Sequence, residues 1–106
     1  MEERRHAKLE AKARIFKAMA HPTRLFIVEE LAKKERCVCD LTEMIGADIS
    51  TVSKHLAVLK NAGIVKDKKQ GSTVCYRLCV PCIVEYFGCI ELVLNAYAQE
   101  QLEMVK

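Results

Sequence analysis

The residues best suited to chemistry in this 106-residue chain are its six cysteines. Nothing in the sequence directs secretion, and a reducing interior leaves cysteines as thiols for soft metals or redox work. Cys37 and Cys39 stand two apart in ERCVCDLTEMIG, and in extended backbone both side chains point the same way and can grip one thiophilic ion. The helix start expected beside them favours thiolate, the form that binds metals. Cys79 and Cys82 make a CxxC in CVPC, the spacing of a redox dithiol, and Cys89 follows Cys82 by one heptad. If both lie in one helix, Cys82 and Cys89 are about 10 Å apart along its axis, too far for a disulfide within the chain. Cys75 and Cys89 read equally well as small buried hydrophobes.

A second constellation is polar. Ser50, Thr51, Ser53, Lys54 and His55 open a segment whose Ile49, Val52, Leu56 and Leu59 form an apolar stripe at helical spacing. Hydroxyls that donate or accept, and a lysine that reaches guanine or phosphate, are what a helix entering the DNA major groove presents from its first turns. Beyond it, Lys66, Lys68, Lys69, Gln70 and Ser72 crowd a turn whose charge suits phosphates.

Several elements must position these groups. Leu9, Ala13, Phe16 and Ala20 predict an amphipathic helix over about residues 3–19. Pro22 starts a second helix with Leu25, Val28, Leu31 and Ala32 inward, ending near Glu35. Asp40 and Glu43 have capping-box spacing and predict a third helix starting at Asp40, and Asp48 caps a fourth that stops at Gly63. The break at Gly46-Ala47 makes the pair, about 40–62, a helix-turn-helix. The period then changes to two, with Val74, Tyr76 and Leu78 on one face and Thr73, Cys75, Arg77 and Cys79 on the other, predicting a β-hairpin wing over about 64–79. Pro81 opens a last helix, about 81–101, whose Ile83, Tyr86, Phe87, Ile90, Leu94 and Tyr97 invite a partner helix. The fold class is mainly α with a β-hairpin wing: a winged helix-turn-helix in a single domain over 1–106.

Composition narrows the function. A chain this short buries a modest core, which argues against a self-contained enzyme with a deep pocket and for subunit association. The net charge of +3 proves no polyanionic partner alone. Residues 80–106, however, hold one basic and four acidic side chains, so the basic surplus lies in the first three quarters. No stretch has the apolar length of a membrane span, and the start lacks a signal-peptide core, so a cytoplasmic protein without a membrane partner is expected.

The runs AHPTRLFIVEEL, ERCVCDLTEMIG and STVSKHLAVLKNAGIVKDKKQGSTVCYRL resemble the arsenic-repressor (ArsR/SmtB) family of winged-helix regulators over roughly residues 10–95. The resemblance implies a homodimer joined through its first and last helices and bound to double-stranded operator DNA, with no permanent cofactor. It implies release when a metal, metalloid or other thiol-directed inducer binds. It makes 49–62 the recognition helix and 64–79 the wing. CVCDL resembles the inducer-binding segment of the family's arsenite sensors, but the third cysteine of that pattern is replaced here by Thr42. Inorganic As(III) prefers three sulfurs and would need Cys75 or a C-terminal cysteine as well. A methylated arsenical, with two free bonds, needs only two thiolates, while tetrahedral Cd(II) or Zn(II) needs more donors. The family's other metal site, on the last helix, has no histidine here; Glu85 and Glu91 stand alone, and His6 and His21 read as surface or cap residues. The alternatives are a redox-sensing repressor using Cys79, Cys82 or Cys89 and, more remotely, a small dithiol metal carrier.

Overall fold

Helix boundaries in the computed structural model, which describes residues 1–105, follow from a few local side chains. Helix α1 spans Glu3–Met19; Ala18 and Met19 enter the core while Leu9 and Phe16 stay exposed. The chain reverses at Ala20, and α2 (Pro22–Lys33) begins with the proline at its first position, where the missing amide costs nothing. His21 is its N-cap, Nδ1 accepting the Thr23 amide at 3.1 Å, whereas His6 sits on the surface beside Glu10. The buried face of α2 is centred on Ile27, Val28 and Leu31, with Leu25 outside and Ala32 half-buried, because α2 touches α1 on one flank and the later sheet on another.

Two residues after α2 comes β1 (Arg36–Cys37), a strand too short to show any period in the sequence. Glu30, buried, ties α2 to it by accepting Arg36 Nη2 at 2.8 Å and Lys33 Nζ at 2.9 Å. Lys33 first, then Arg36, hold the Glu30 carboxyl below the ordinary carboxylate range.

Helix α3 (Val38–Ile45) starts two residues before the expected Asp40. The chain leaves β1 already turning, Cys37 occupies the N-cap, and no side chain caps the helix, so the Asp40–Glu43 capping box does not form. Asp40 lies instead in the first turn, where a carboxylate opposes the helix dipole favourably. Gly46, at φ 78°, ends α3 in the left-handed conformation that a side chain would resist. Helix α4 (Ile49–Asn61) follows from Asp48. Its inward stripe is Val52, Leu56 and Leu59; Ile49, expected inward, is 53% exposed because the first turn projects past the body of the core.

Strands β2 (Val65–Gln70) and β3 (Thr73–Leu78) form the hairpin, from Val65 opposite Leu78 to Gln70 opposite Thr73. Of the two turn residues only Gly71 has positive φ, 64°, the pattern of a type II′ turn. The sheet has three strands in the order β1-β3-β2, with Arg36 opposite Tyr76 and Cys37 opposite Cys75. This corrects the simple alternation expected for β3: it is the central strand, so Cys75 is buried as well as Leu78, while Val74 and Tyr76 are only half-buried.

Pro81–Val84 form a 3-10 turn rather than the first turn of the last helix, and α5 runs Glu85–Val105. Ile83, Val84 and Phe87 pack on the core, and no residue of α5 is itself buried. Among the described residues no helix is long and apolar enough to cross a membrane.

Candidate functional site

The outward side of α4 is prepared by Asp48. Its carboxylate accepts the Ser50 hydroxyl at 2.6 Å and the Thr51 hydroxyl as well, and these bonds, Ser50's first, hold the Asp48 carboxyl below its usual range. Both hydroxyl protons are thereby committed, so Ser50 and Thr51 meet an incoming partner chiefly as acceptors. Ser53 and Lys54 are exposed on the next turn.

His55 departs from expectation. It is half-buried, its ring lying 4.5 Å from that of His21 at 41°, so it braces α4 against the start of α2 rather than facing outward freely. Burial first, then the neighbouring His21 and Arg24, push its pKa below the ordinary 6.5. The folded state therefore resists a proton that the unfolded chain accepts: the stability linked to His55 is whole above pH 6.5 and falls as pH drops through and below that value. Thermal melts between neutral pH and pH 5 are expected to fall more steeply for the native chain than for His55→Gln; parallel slopes would remove His55 from this role.

The wing carries Lys66, Lys68, Lys69 and Gln70 exposed along β2. It is anchored to the end of α4 by Lys60 Nζ, which donates to Asp67 Oδ2 at 2.9 Å; this bond also raises the Lys60 pKa. Gln70 faces two ways: it lies by the hairpin turn, yet its Oε1 accepts the Cys75 thiol at 3.5 Å.

The thiols are arranged differently from the spacing argument. Cys37 ends β1 and occupies the N-cap position of α3, whereas Cys39 lies exposed within the first turn of that helix. Extended geometry does not continue through both, and side chains two apart at a helix start do not share a face. The structure instead sets Cys37 Sγ 2.8 Å from Cys75 Sγ, across the β1–β3 ladder. The Cys75 thiol is raised above its ordinary value by the hydrogen bond to Cys37 first and by burial second. Cys79 is half-buried, its amide donating to Ile64 O at 2.9 Å. Cys82 is exposed in the 3-10 turn and Cys89 exposed on α5, so the one-helix spacing drawn for them does not apply. All six cysteines are free thiols, and among the described residues no group of three or more His, Cys, Asp or Glu converges as a metal site.

Sequence reasoning misses Asp48 as the holder of Ser50 and Thr51, Lys60–Asp67 as the wing anchor, and the pairing of Cys37 with Cys75. The first has a local sign, an acid two and three residues before hydroxyls at a helix start. The other two depend on how the hairpin is seated.

A short helix, a tight turn and a second helix with a polar outer face, followed by a basic hairpin, define the class of winged helix-turn-helix DNA-binding regulators. Residues 21–67 match the model described as bacterial regulatory protein, arsR family. An uncharacterized HTH-type transcriptional regulator of Mycobacterium tuberculosis (strain CDC 1551 / Oshkosh) is 31% identical over 96 residues, covering 90% of this chain and 84% of the relative. The arsenical resistance operon repressor of Escherichia coli (strain K12) is 45% identical over 65 residues, 60% of this chain and 56% of its own length. The solved homodimeric winged helix-turn-helix DNA-binding domain of a possible ArsR-family regulator from Mycobacterium bovis superposes with a TM-score of 0.78 at 29% identity, covering 94% of this chain and 93% of that one. The chain belongs to the ArsR family of bacterial transcriptional regulators. It is a DNA-binding regulator and not an enzyme.

Proposed function

We propose that the protein is a cytoplasmic, homodimeric repressor that holds double-stranded operator DNA through 49–62 and the wing at 64–79. It lets go when thiols near the start of α3 take a thiophilic inducer such as trivalent arsenic or another soft metal or metalloid. The single domain over 1–106 divides the work: helix-turn-helix and wing toward DNA, the helices over 3–19 and 81–101 toward the second subunit. The observation that carries this reading is the two-sided character of α4, whose Val52, Leu56 and Leu59 are fully buried while Ser50, Thr51, Ser53 and Lys54 face solvent.

Cys37 supplies the link to the inducer. As N-cap residue of α3 it sits where a new bond at sulfur displaces the start of a helix packed on α4. A few kcal/mol of such coupling suffices to shift operator occupancy.

Fluorescence anisotropy on candidate promoter duplexes tests the reading. Binding is expected to weaken with salt, and Lys68→Ala with Lys69→Ala should lower affinity for specific and unrelated duplexes alike, flattening the logarithmic salt slope by about one for each phosphate no longer neutralised. Arsenite added to the reduced native complex should release DNA, and Cys37→Ser should blunt that release. A native chain that ignores duplex DNA at low ionic strength overturns the proposal.

A further inference from the structure

We propose that Cys37 and Cys75 are a peroxide-oxidised pair whose cross-strand disulfide pins the start of α3 to the central strand of the wing and holds the repressor in its DNA-binding form. The regulatory half of this inference rests on the function proposed above; the disulfide itself does not.

The two cysteines face each other across the β1–β3 ladder. Opposed residues of an antiparallel pair have Cα atoms about 4.5–5.5 Å apart, inside the span that one disulfide bridges. Their sulfurs stand 2.8 Å apart while both are still free thiols, so an S–S bond of about 2.05 Å closes with little movement. Among the described residues no other two sulfurs are in hydrogen-bond contact, although Cys39 lies nearer in sequence and Cys79 with Cys82 has the dithiol spacing. The hydrogen bond given up is that of the Cys75 thiol to Gln70 Oε1, and Gln70 is exposed, so water takes its place.

The oxidation balances with a peroxide as the electron acceptor. Cys37 is half-buried and Cys75 is 7% exposed, so the oxidant reaches Cys37 first. The Cys37 sulfur attacks one peroxide oxygen, the O–O bond breaks, and a sulfenic acid remains while the other oxygen leaves as water. The Cys75 sulfur then attacks the Cys37 sulfur; the S–O bond breaks, and that oxygen departs with the Cys75 proton as a second water. Two electrons pass from the sulfurs to the peroxide. Because the new bond joins partners already in register, neither α3 nor the hairpin has to shift, and α4 keeps its place against both. Oxidation at this pair therefore locks the reading form, and it withdraws the Cys37 sulfur from any soft-metal inducer.

The test treats the full reduced chain with hydrogen peroxide. Intact mass should fall by two hydrogens, and non-reducing peptide maps should join Cys37 to Cys75 within one chain. A chain with Cys39, Cys79, Cys82 and Cys89 all changed to Ser should form the same bond, and its melting temperature should then rise by roughly 10 °C, since the bond closes a long loop in the unfolded state. Cys37→Ser on that background should abolish the bond without fraying α3, serine being a preferred N-cap; Cys75→Ala checks the buried side independently. A map that joins Cys79 to Cys82 and leaves Cys37 and Cys75 open to alkylation, or a folded four-serine chain that keeps both thiols, overturns the pair. On operator duplex the oxidised native chain should bind within about threefold of the reduced one, and arsenite should release the reduced complex but not the oxidised one. Loss of DNA on forming this bond, or equal release of both forms, overturns the lock. A disulfide that forms and keeps DNA bound, beside a reduced complex that arsenite does not release, counts against the proposed inducer mechanism alone.

Discussion

Leu94→Glu is expected to convert the protein into a monomer and to weaken binding to a two-half-site operator by roughly a thousandfold, the loss that follows when two linked binding events become independent. Helix α5 has 21 residues and buries none of them, although Tyr86, Ile90, Leu92, Val93, Leu94, Tyr97 and Leu102 are large and apolar. Leu94, near the middle of this face, is 61% exposed. A Cα radius of gyration of 16.8 Å exceeds the roughly 13 Å of a compact chain this long. Each large aliphatic side chain moved from water into an interface contributes about 1.5–3 kcal/mol, and Phe16 of α1, edge-on to Tyr86 at 6.1 Å, extends the same apolar surface. A carboxylate at its centre would have to be desolvated without a partner, which reverses the gain. Light scattering after gel filtration should show half the native mass, and Glu103→Gln, which changes a charge near the end of the same helix, should remain dimeric. A Leu94→Glu chain that stays dimeric would move the proposed interface elsewhere.

Legibility in the sequence tracks how locally each feature is determined. Pro22 after His21, Gly46 between two apolar stripes and Gly71 beside a lysine-rich turn each act through their own backbone, so the elements they bound can be placed closely. The winged helix-turn-helix and its polar α4 turns follow from those marks. What escapes depends on partners far along the chain. Strand β1 has two residues and no period, and it exists only because β3, nearly forty residues later, offers a free edge. Without β1, Cys37 looks like the neighbour of Cys39 and Cys75 looks like a hydrophobe on the outer face of a two-stranded wing. The same cause shifts the start of α3 from Asp40 to Val38, since the strand delivers the chain to the helix earlier than capping chemistry suggests. His55 is misplaced for a related reason: its environment is the N-cap of another helix, invisible to a reading of α4 alone.

Leu56→Ala should cost about 2–5 kcal/mol of stability, a large share of the roughly 5–15 kcal/mol available to a domain. Leu56 is 0% exposed and belongs to the central cluster with Ile27, Val28, Leu41, Val52 and Leu59. Truncating it removes transfer energy and leaves a cavity where α2, α3 and α4 meet, lowering the melting temperature by about 10 °C or more. Lys54→Ala, two residues earlier on the opposite side of α4, touches no such cluster and should leave stability within about 0.5 kcal/mol. Its expected cost falls on DNA instead, about 1–3 kcal/mol, or roughly ten- to hundredfold in operator affinity. Melting curves and anisotropy on the same two variants therefore separate the two faces of one helix: Leu56→Ala should lose operator binding only as it unfolds, so that cooling restores it, whereas Lys54→Ala should stay folded and bind weakly at every temperature. Should Lys54→Ala bind like the native chain, α4 would not be reading DNA through this turn.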